Sequence, residues 1–155
     1  MADELGFVPF EPIEHTADLA LIARGRTLPE LFEHAAMGML GFLYRPEEIA
    51  PTDSESVGVT GADLEELLVT WLQELLYRHE VGRRLVHTLR VEALTPPTDS
   101  AAASLRASAR GERWDPGRPR VRADIKAATY HAIEITRERA ASGLELYRVR
   151  VVFDT

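Results

Sequence analysis

Apolar residues recur every three or four positions in two stretches of this chain, which is the spacing of a helix with one buried face. The first stretch covers residues 28–43. It opens with a capping-box sequence, Thr27-Leu-Pro-Glu30, which places proline in the first turn. Another capping box, Asp63-Leu-Glu-Glu66, opens the second stretch, which begins at Leu64 and is stopped by Gly82. The apolar stripes are formed by Leu28, Leu31, Phe32, Ala35, Met39, Phe42 and Leu43, and by Leu64, Leu67, Leu68, Trp71, Leu72, Leu75, Leu76 and His79. The pattern predicts two amphipathic helices.

The other apolar positions alternate with polar ones, or form short runs between turn-forming residues, as they do in β-strands. The predicted strands cover residues 19–24, 57–60, 85–94, 101–111, 121–136 and 144–154. Two helices early and a run of strands late predict an α+β fold, with two helices packed on one face of a mostly antiparallel, mixed β-sheet. Because the chain has no repeat and no internal linker, we expect residues 1–155 to form a single compact domain.

Composition excludes several classes of protein. The 155 residues carry 18 basic and 25 acidic side chains, a formal net charge of −7, and no cysteine. A disulfide framework, a thiolate zinc site, an iron–sulfur cluster and a cysteine nucleophile are therefore excluded. No apolar run reaches the roughly 18–20 residues of a membrane span, and the acidic N-terminal sequence lacks the features of a signal peptide. We expect a soluble, cytoplasmic protein that does not bind membranes.

Charge is distributed unevenly along the sequence. Residues 1–80 hold 16 acidic and 4 basic side chains, whereas residues 81–155 hold 9 and 14. This asymmetry suits either a molecule that meets a cation or a basic partner on one side, or an ordinary solvated surface. The net acidity disfavours direct nucleic-acid binding, because the phosphate backbone attracts basic proteins.

Groups with oxygen atoms that could bind a cation are concentrated at two places in the sequence. The segment Glu14-His15-Thr16-Ala17-Asp18 precedes the first predicted strand, where its side chains would bind a divalent cation or simply form a turn. At the other end, a predicted strand carries Asp154 and the terminal carboxylate of Thr155, which repel each other unless a cation or donors neutralise them. If Asp18 lies on an adjacent strand end, three carboxylates converge in a site for a hard cation; otherwise the tail is solvated.

Four further side chains are open to a functional or a structural interpretation. His131 shares a predicted strand face with isoleucines, so we expect a core histidine with satisfied hydrogen bonds. Lys126, the only lysine, and Tyr130 occupy the opposite face, where they would bind an anion or remain solvated. His79 is expected to bond carbonyl groups at the helix end. Glycine-rich nucleotide loops, a serine nucleophile elbow, a zinc-protease motif and an EF-hand loop are all absent, which favours an accessory protein over an enzyme.

Four fragments in order resemble the archease family over residues 10–155. They are Ile13-Glu-His-Thr-Ala-Asp-Leu19 with the Gly25–Ala35 segment, Asp63-Leu-Glu-Glu-Leu-Leu-Val-Thr-Trp-Leu-Gln-Glu-Leu-Leu-Tyr77, Ile125-Lys-Ala-Ala-Thr-Tyr-His131, and Val151-Val-Phe-Asp154. The chain departs from the family pattern at Gln73, Ala128 and Thr155, where asparagine, valine and a terminal valine or isoleucine are usual. Residues 95–120 are also unusually rich in proline and arginine, which leaves partner contacts there open.

The resemblance implies a non-catalytic activator of a GTP-dependent RNA ligase of the RtcB type, acting in tRNA splicing or RNA repair. Such an accessory protein promotes guanylylation of the ligase histidine and multiple turnover. The resemblance further implies a divalent cation, typically Ca²⁺ with Mg²⁺ or Mn²⁺ as alternatives, held by Asp18, Asp154 and the terminal carboxylate of Thr155. His15 and Lys126 would be supporting, partner-facing residues, and no sequence-specific nucleic-acid contact is expected.

Two other functions remain as alternatives. One is a chaperone-like modulator of other nucleic-acid-modifying enzymes, such as methyltransferases, which would depend on the 95–120 segment. The other is an independent metal-dependent phosphohydrolase that uses His15, Asp18 and His131. The first predicts that carboxylate variants stay active, and the second predicts turnover by the purified protein alone.

Overall fold

Two helices form where the apolar stripes repeat. In the computed structural model, which describes residues 6–14, 19–115 and 124–155, helix α1 spans Leu28–Leu43 and helix α2 spans Leu64–Glu80. The side-chain oxygens of Thr27 and Asp63 accept the predicted capping hydrogen bonds from the main-chain N–H three residues later, at 3.2 and 2.8 Å. Both helix starts are therefore set by local sequence, as predicted.

Within the described ranges, the strands form two antiparallel sheets. They are β1 (Phe10–Glu14), β2 (Leu19–Gly25), β3 (Asp53–Gly61), β4 (Arg84–Thr95), β5 (Ala103–Arg113), β6 (Ala127–Ala128), β7 (Thr136–Arg139) and β8 (Glu145–Asp154). One sheet has the order β1-β2-β8-β6, with β7 also pairing with β8, and the other has the order β3-β5-β4. The predicted α+β class is confirmed, and the strands are divided between two sheets instead of one. A short 3₁₀ helix, Pro46–Glu48, follows α1.

The core lies between the helices and the sheets. Trp71 on α2 and Phe32 on α1 have no solvent exposure, and the Trp71 indole N–H donates to the Phe32 carbonyl at 3.0 Å. Helix α1 contacts β2 and β4, while α2 contacts β3, β5 and β6. The two predicted stripes thus bury their apolar faces against each other and against both sheets. None of the described helices combines the length and apolar character that a membrane crossing needs.

Strand β3 begins four residues earlier than predicted. Its first residues are polar, but their charges are paired: the Arg84 guanidinium donates to the Asp53 carboxylate at 2.5 and 3.0 Å. Arg78 on α2 similarly donates to Glu55 at 2.8 Å. The hydrogen bonds from Arg84 also hold the pKa of the Asp53 carboxyl below its ordinary value of 3.8. A polar segment therefore extends the strand because partners on β4 and α2 hold its side chains.

The prediction of one continuous strand over 121–136 is wrong. Within its described part, only Ala127–Ala128 and the strand start at Thr136 are extended and paired. Between them, Ala132 adopts a left-handed conformation with φ of 52°, and the Ile133 N–H bonds the Tyr130 carbonyl at 3.2 Å. This turn breaks the alternation, so apolar residues spaced by two no longer share one face.

His79 lies at the end of α2, as predicted. Its Nδ1 donates to the main-chain carbonyl of Arg84 at 3.0 Å, because a carbonyl oxygen can only accept. The imidazole also packs on the ring of Tyr44, with 5.4 Å between the ring centroids. The helix-end histidine therefore bonds the first residue of β4 instead of the last helical carbonyls.

Candidate functional site

Three of the predicted site residues, Lys126, Asp154 and Thr155, lie at or beside the end of strand β8. Ala127 pairs with Asp154 and Ala128 with Phe153, and the Lys126 N–H donates to the Asp154 carbonyl at 2.8 Å. On the opposite side of β8, Leu19 pairs with Phe153. The structure thus brings Asp154 and Lys126 together at one sheet end, beside the first residue of β2. We call Lys126, Tyr130, His131, Asp154 and Thr155 the tip.

The tip is exposed but stands on buried residues. Asp154 and Thr155 are exposed, whereas Phe153 has no solvent exposure and packs edge-on against Phe42 of α1, with 6.0 Å between the ring centroids. Val151, two residues earlier and on the same face of β8, is also buried. Because the preceding residues are packed in the core, Asp154 is held at the end of a paired strand, as predicted.

Two side chains of helix α2 form hydrogen bonds that support the tip. The Gln73 side-chain oxygen accepts from the Ala128 N–H at 3.1 Å, and the Glu65 carboxylate accepts from the Ile135 N–H at 3.0 Å. Gln73 is one of the departures from the family pattern, and its contact with the β6 segment was not predicted. The sequence shows only a polar residue beside the leucine stripe of α2, and the structure shows that Gln73 is partly buried. Gln73 and Glu65 are positioning residues for the segment that contains Lys126.

The turn after β6 presents an aromatic ring and an imidazole to solvent. The Thr129 hydroxyl donates to the Val152 carbonyl at 3.0 Å and accepts from the His131 N–H at 3.3 Å. This hydrogen bonding fixes the start of the turn, and the Tyr130 side chain beyond it is 58% exposed. His131 is exposed too, so the prediction of a core histidine is wrong. The turn at Ala132 removes His131 from the face that its neighbouring isoleucines share.

The other predicted site residues, His15 and Asp18, lie outside the described residues. Across the described ranges 6–14, 19–115 and 124–155, no three His, Asp or Glu side chains lie close enough together to hold a metal ion. The Asp154 carboxylate offers oxygen donors, which suit a hard cation such as Ca²⁺ or Mg²⁺. One carboxylate supplies only part of a coordination shell, and the terminal carboxylate of Thr155 and the side chain of Asp18 stay predicted ligands.

Comparisons with known proteins bear on the whole chain. Residues 10–155 match the model of the Archease protein family (MTH1598/TM1083). The protein archease of Methanosarcina acetivorans is 37% identical over 145 residues, which is 94% of each chain. That of Pyrococcus furiosus is 33% identical over 128 residues, 83% of this chain and 88% of the relative.

A solved structure agrees with these matches. The solution structure of Methanobacterium thermoautotrophicum protein 1598 superposes with a TM-score of 0.74 at 28% sequence identity, covering 95% of this chain and 99% of the other. The matched regions include both helices, both sheets and the tip. With a family match over nearly its full length and relatives of similar extent, this chain belongs to the archease family.

Proposed function

We propose that this chain is an accessory protein of a GTP-dependent RNA ligase of the RtcB type. In this role it promotes guanylylation of the ligase histidine and repeated turnover without catalysing a reaction itself. Membership of the archease family supports the accessory role. The partner, the guanylylation step and the cytoplasmic setting are parts of the proposal.

One observation supports the proposal most directly, which is the convergence of the tip residues at the end of β8. Asp154 pairs with the segment after Lys126, and Leu19 lies across from Phe153. Asp18 immediately precedes Leu19 in the sequence. On this basis Asp18 is proposed to act together with Asp154.

The proposed ligands are Asp18, Asp154 and the terminal carboxylate of Thr155. A divalent cation bound there would supply positive charge to polyphosphate and to a developing phosphoryl group. The contribution of this chain is to hold these oxygens at the end of a strand, where they are exposed to a partner. Lys126 and His15 would contact the partner or its phosphates beside the cation.

The experiment measures joining of RNA 3′-phosphate or 2′,3′-cyclic-phosphate ends to 5′-hydroxyl ends by a purified RtcB-type ligase under multiple turnover. Wild-type protein is expected to raise both product formation and the guanylylated fraction of the ligase. Asp154→Asn and Asp18→Asn keep the side-chain size but remove a charge, and should lower stimulation by about tenfold or more. Glu92→Gln changes an exposed carboxylate on β4, which belongs to the other sheet, and should stimulate as wild type does.

A second readout separates cation binding from partner binding. Isothermal titration of the protein alone with Ca²⁺ should show one site that weakens in Asp154→Asn and in a variant with two residues added after Thr155. Full stimulation by Asp154→Asn together with lost stimulation on changes in the 95–120 segment would contradict the proposal and favour the chaperone-like alternative. Phosphoester turnover by the purified protein alone would favour the hydrolase alternative.

A further inference from the structure

A cavity of about 520 Å³ lies between helix α1 and strand β4, on a part of the molecule that the proposed function does not use. Glu33, Met37 and Gly41 line it from the helix, and Leu89 and its neighbours line it from the strand. Its volume is within the range of sites that bind small ligands. The lining contains both polar and apolar groups, so a ligand must complement both kinds.

Helix α1 runs along the open edge of β4, which is an outer strand of its sheet. The Tyr44 hydroxyl accepts from the Val86 N–H at 2.9 Å, and the Glu33 carboxylate oxygen Oε2 accepts from the Val91 N–H at 2.7 Å. Glu33 of α1 and Tyr44, which directly follows the helix, thus satisfy two main-chain donors of an edge that would otherwise attract another strand. Between these two bonds the edge faces the cavity.

Leu89 lies in the uncapped part of this edge. The register with β5 is regular from Thr88 to Val91, so main-chain groups alternate between β5 and the open side. The Val91 N–H turns to Glu33, and Leu89, two residues earlier, therefore turns its N–H and C=O to the same open side. In an extended residue these two groups point the same way, which presents a donor next to an acceptor.

Glu33 adds a second acceptor to this row. Its oxygen Oε1 has no hydrogen-bond partner among the residues that the structure describes. The Leu89 carbonyl lies between the Leu89 N–H and the Val91 N–H to which Glu33 is bound. The groups along the edge are therefore the Leu89 N–H, the Leu89 C=O and the Glu33 carboxylate, in the order donor, acceptor, acceptor. The same order is found on the pairing edge of cytosine, and its complement is acceptor, donor, donor. Burial raises the pKa of the Glu33 carboxyl, a cost that N–H donors on a ligand would offset.

We propose that this cavity binds a guanine-type base, with its ring carbonyl on the Leu89 N–H, its ring N–H on the Leu89 carbonyl and its amino group on Glu33. Phe10 and Met37 supply apolar surface against which a planar ring can stack. Only one residue of the edge is available between the capped positions, which is too short for an added peptide strand. A single base held in this way needs no phosphate contact, so the acidic net charge does not oppose it.

Glycine at position 41 keeps the cavity open. A Cβ built at Gly41 meets no described atom within 4 Å, although glycine weakens a helix interior relative to alanine. In contrast, a Cβ at Gly38 on the same helix would lie 3.0 Å from the Phe10 ring. A large side chain at position 41 would therefore fill the cavity without displacing the described core.

The test is titration of the full chain with guanosine, inosine and adenosine, followed by amide NMR shifts and calorimetry. Guanosine should bind saturably with shifts at Leu89 and its neighbours. Inosine lacks the amino group and should bind about tenfold more weakly, and adenosine, whose donor and acceptor positions differ, weaker still. Gly41→Phe should abolish binding while the fold is retained.

Glu33→Gln isolates the carboxylate. Its amide oxygen can still accept from the Val91 N–H, which turns a donor towards the ligand, so guanosine should lose its advantage over inosine. Glu65→Gln, which makes the same kind of bond to a main-chain N–H away from the cavity, should leave all three affinities unchanged. Absence of guanosine binding, equal binding of inosine by the wild type, or binding that persists in Gly41→Phe would each overturn the proposal.

Discussion

Replacing Gln73 with leucine tests whether helix α2 holds the tip in place. The change removes the acceptor of the Ala128 N–H, and Ala128 is 3% exposed, so a buried donor loses its partner. A buried polar group left unsatisfied costs about 1–3 kcal/mol. Strand β6 has only two residues, so little other pairing resists its opening. We expect the β6 segment to open locally about 5–150-fold more often, the population change that corresponds to this free energy.

Native-state hydrogen exchange measures this opening at amides whose own bonds are not altered. The Lys126 N–H bonds the Asp154 carbonyl and the Thr129 N–H bonds the Val152 carbonyl, so both report on the segment without contacting Gln73. Their exchange should accelerate in Gln73→Leu, while the amides of β2 keep their protection. Stimulation of the ligase should fall in parallel if the tip acts as proposed.

Gln73→Glu is the matched control, since a carboxylate oxygen can accept the same hydrogen bond. It should retain slow exchange at Lys126 and Thr129. Unchanged exchange of these two amides in Gln73→Leu would refute the supporting role of α2. An equal acceleration throughout β2 would show that the substitution acts on global stability instead.

The remaining predictions concern the stability of the fold, measured by urea denaturation. Tyr44→Phe leaves the buried Val86 N–H without its acceptor and should lower the unfolding free energy by about 1–3 kcal/mol; no change would indicate that the hydroxyl is dispensable. Gly41→Ala should stabilise α1 by up to about 1 kcal/mol, whereas Gly38→Ala should destabilise it because a methyl there presses on a phenylalanine ring; effects of the same sign would contradict this contrast. Because pairing lowers the pKa of Asp53, the stability that its carboxylate adds to the fold is present above pH 3.8 and is lost as the pH falls through the lower folded-state value. Asp53→Asn should therefore make the unfolding free energy depend less on pH in acid. An unchanged dependence would refute the pairing.

The helices could be predicted from the sequence because their signals are local. The caps at Thr27 and Asp63 lie within one turn of the apolar stripes they precede, and both helices begin at the predicted residue. Strand β5 was predicted to within two residues for the same reason, since alternation of small apolar and polar residues is read over a short window.

Sheet membership could not be predicted because it depends on pairing between distant residues. Leu19 and Phe153 are neighbours in the sheet but lie near opposite ends of the sequence. A similar limit applies to His131, whose exposure follows from the left-handed turn at Ala132 and not from the residues on either side. Alternation alone does not reveal a turn that contains no glycine or proline.

Part of the candidate site was accessible from the sequence. Asp154 and Lys126 were identified as candidate residues, and the structure brings them to one sheet end. The support by Gln73 was missed, because a hydrogen bond from a helix side chain to a strand N–H leaves no periodic signal. The roles of Asp18, Thr155 and His15 remain predictions that the proposed ligation and titration experiments test.

The position of β8 in its sheet has a consequence for the order of folding. The β3-β5-β4 sheet joins segments within residues 53–113, whereas β8 pairs with β2, β6 and β7, all of which precede it in the chain. Contacts between distant segments carry a larger loop-closure entropy and form more slowly. We expect the β3-β5-β4 sheet and α2 to form first and the tip to be assembled last. A nascent or partly folded chain would then present no complete tip, so the site becomes available only on molecules that have finished folding.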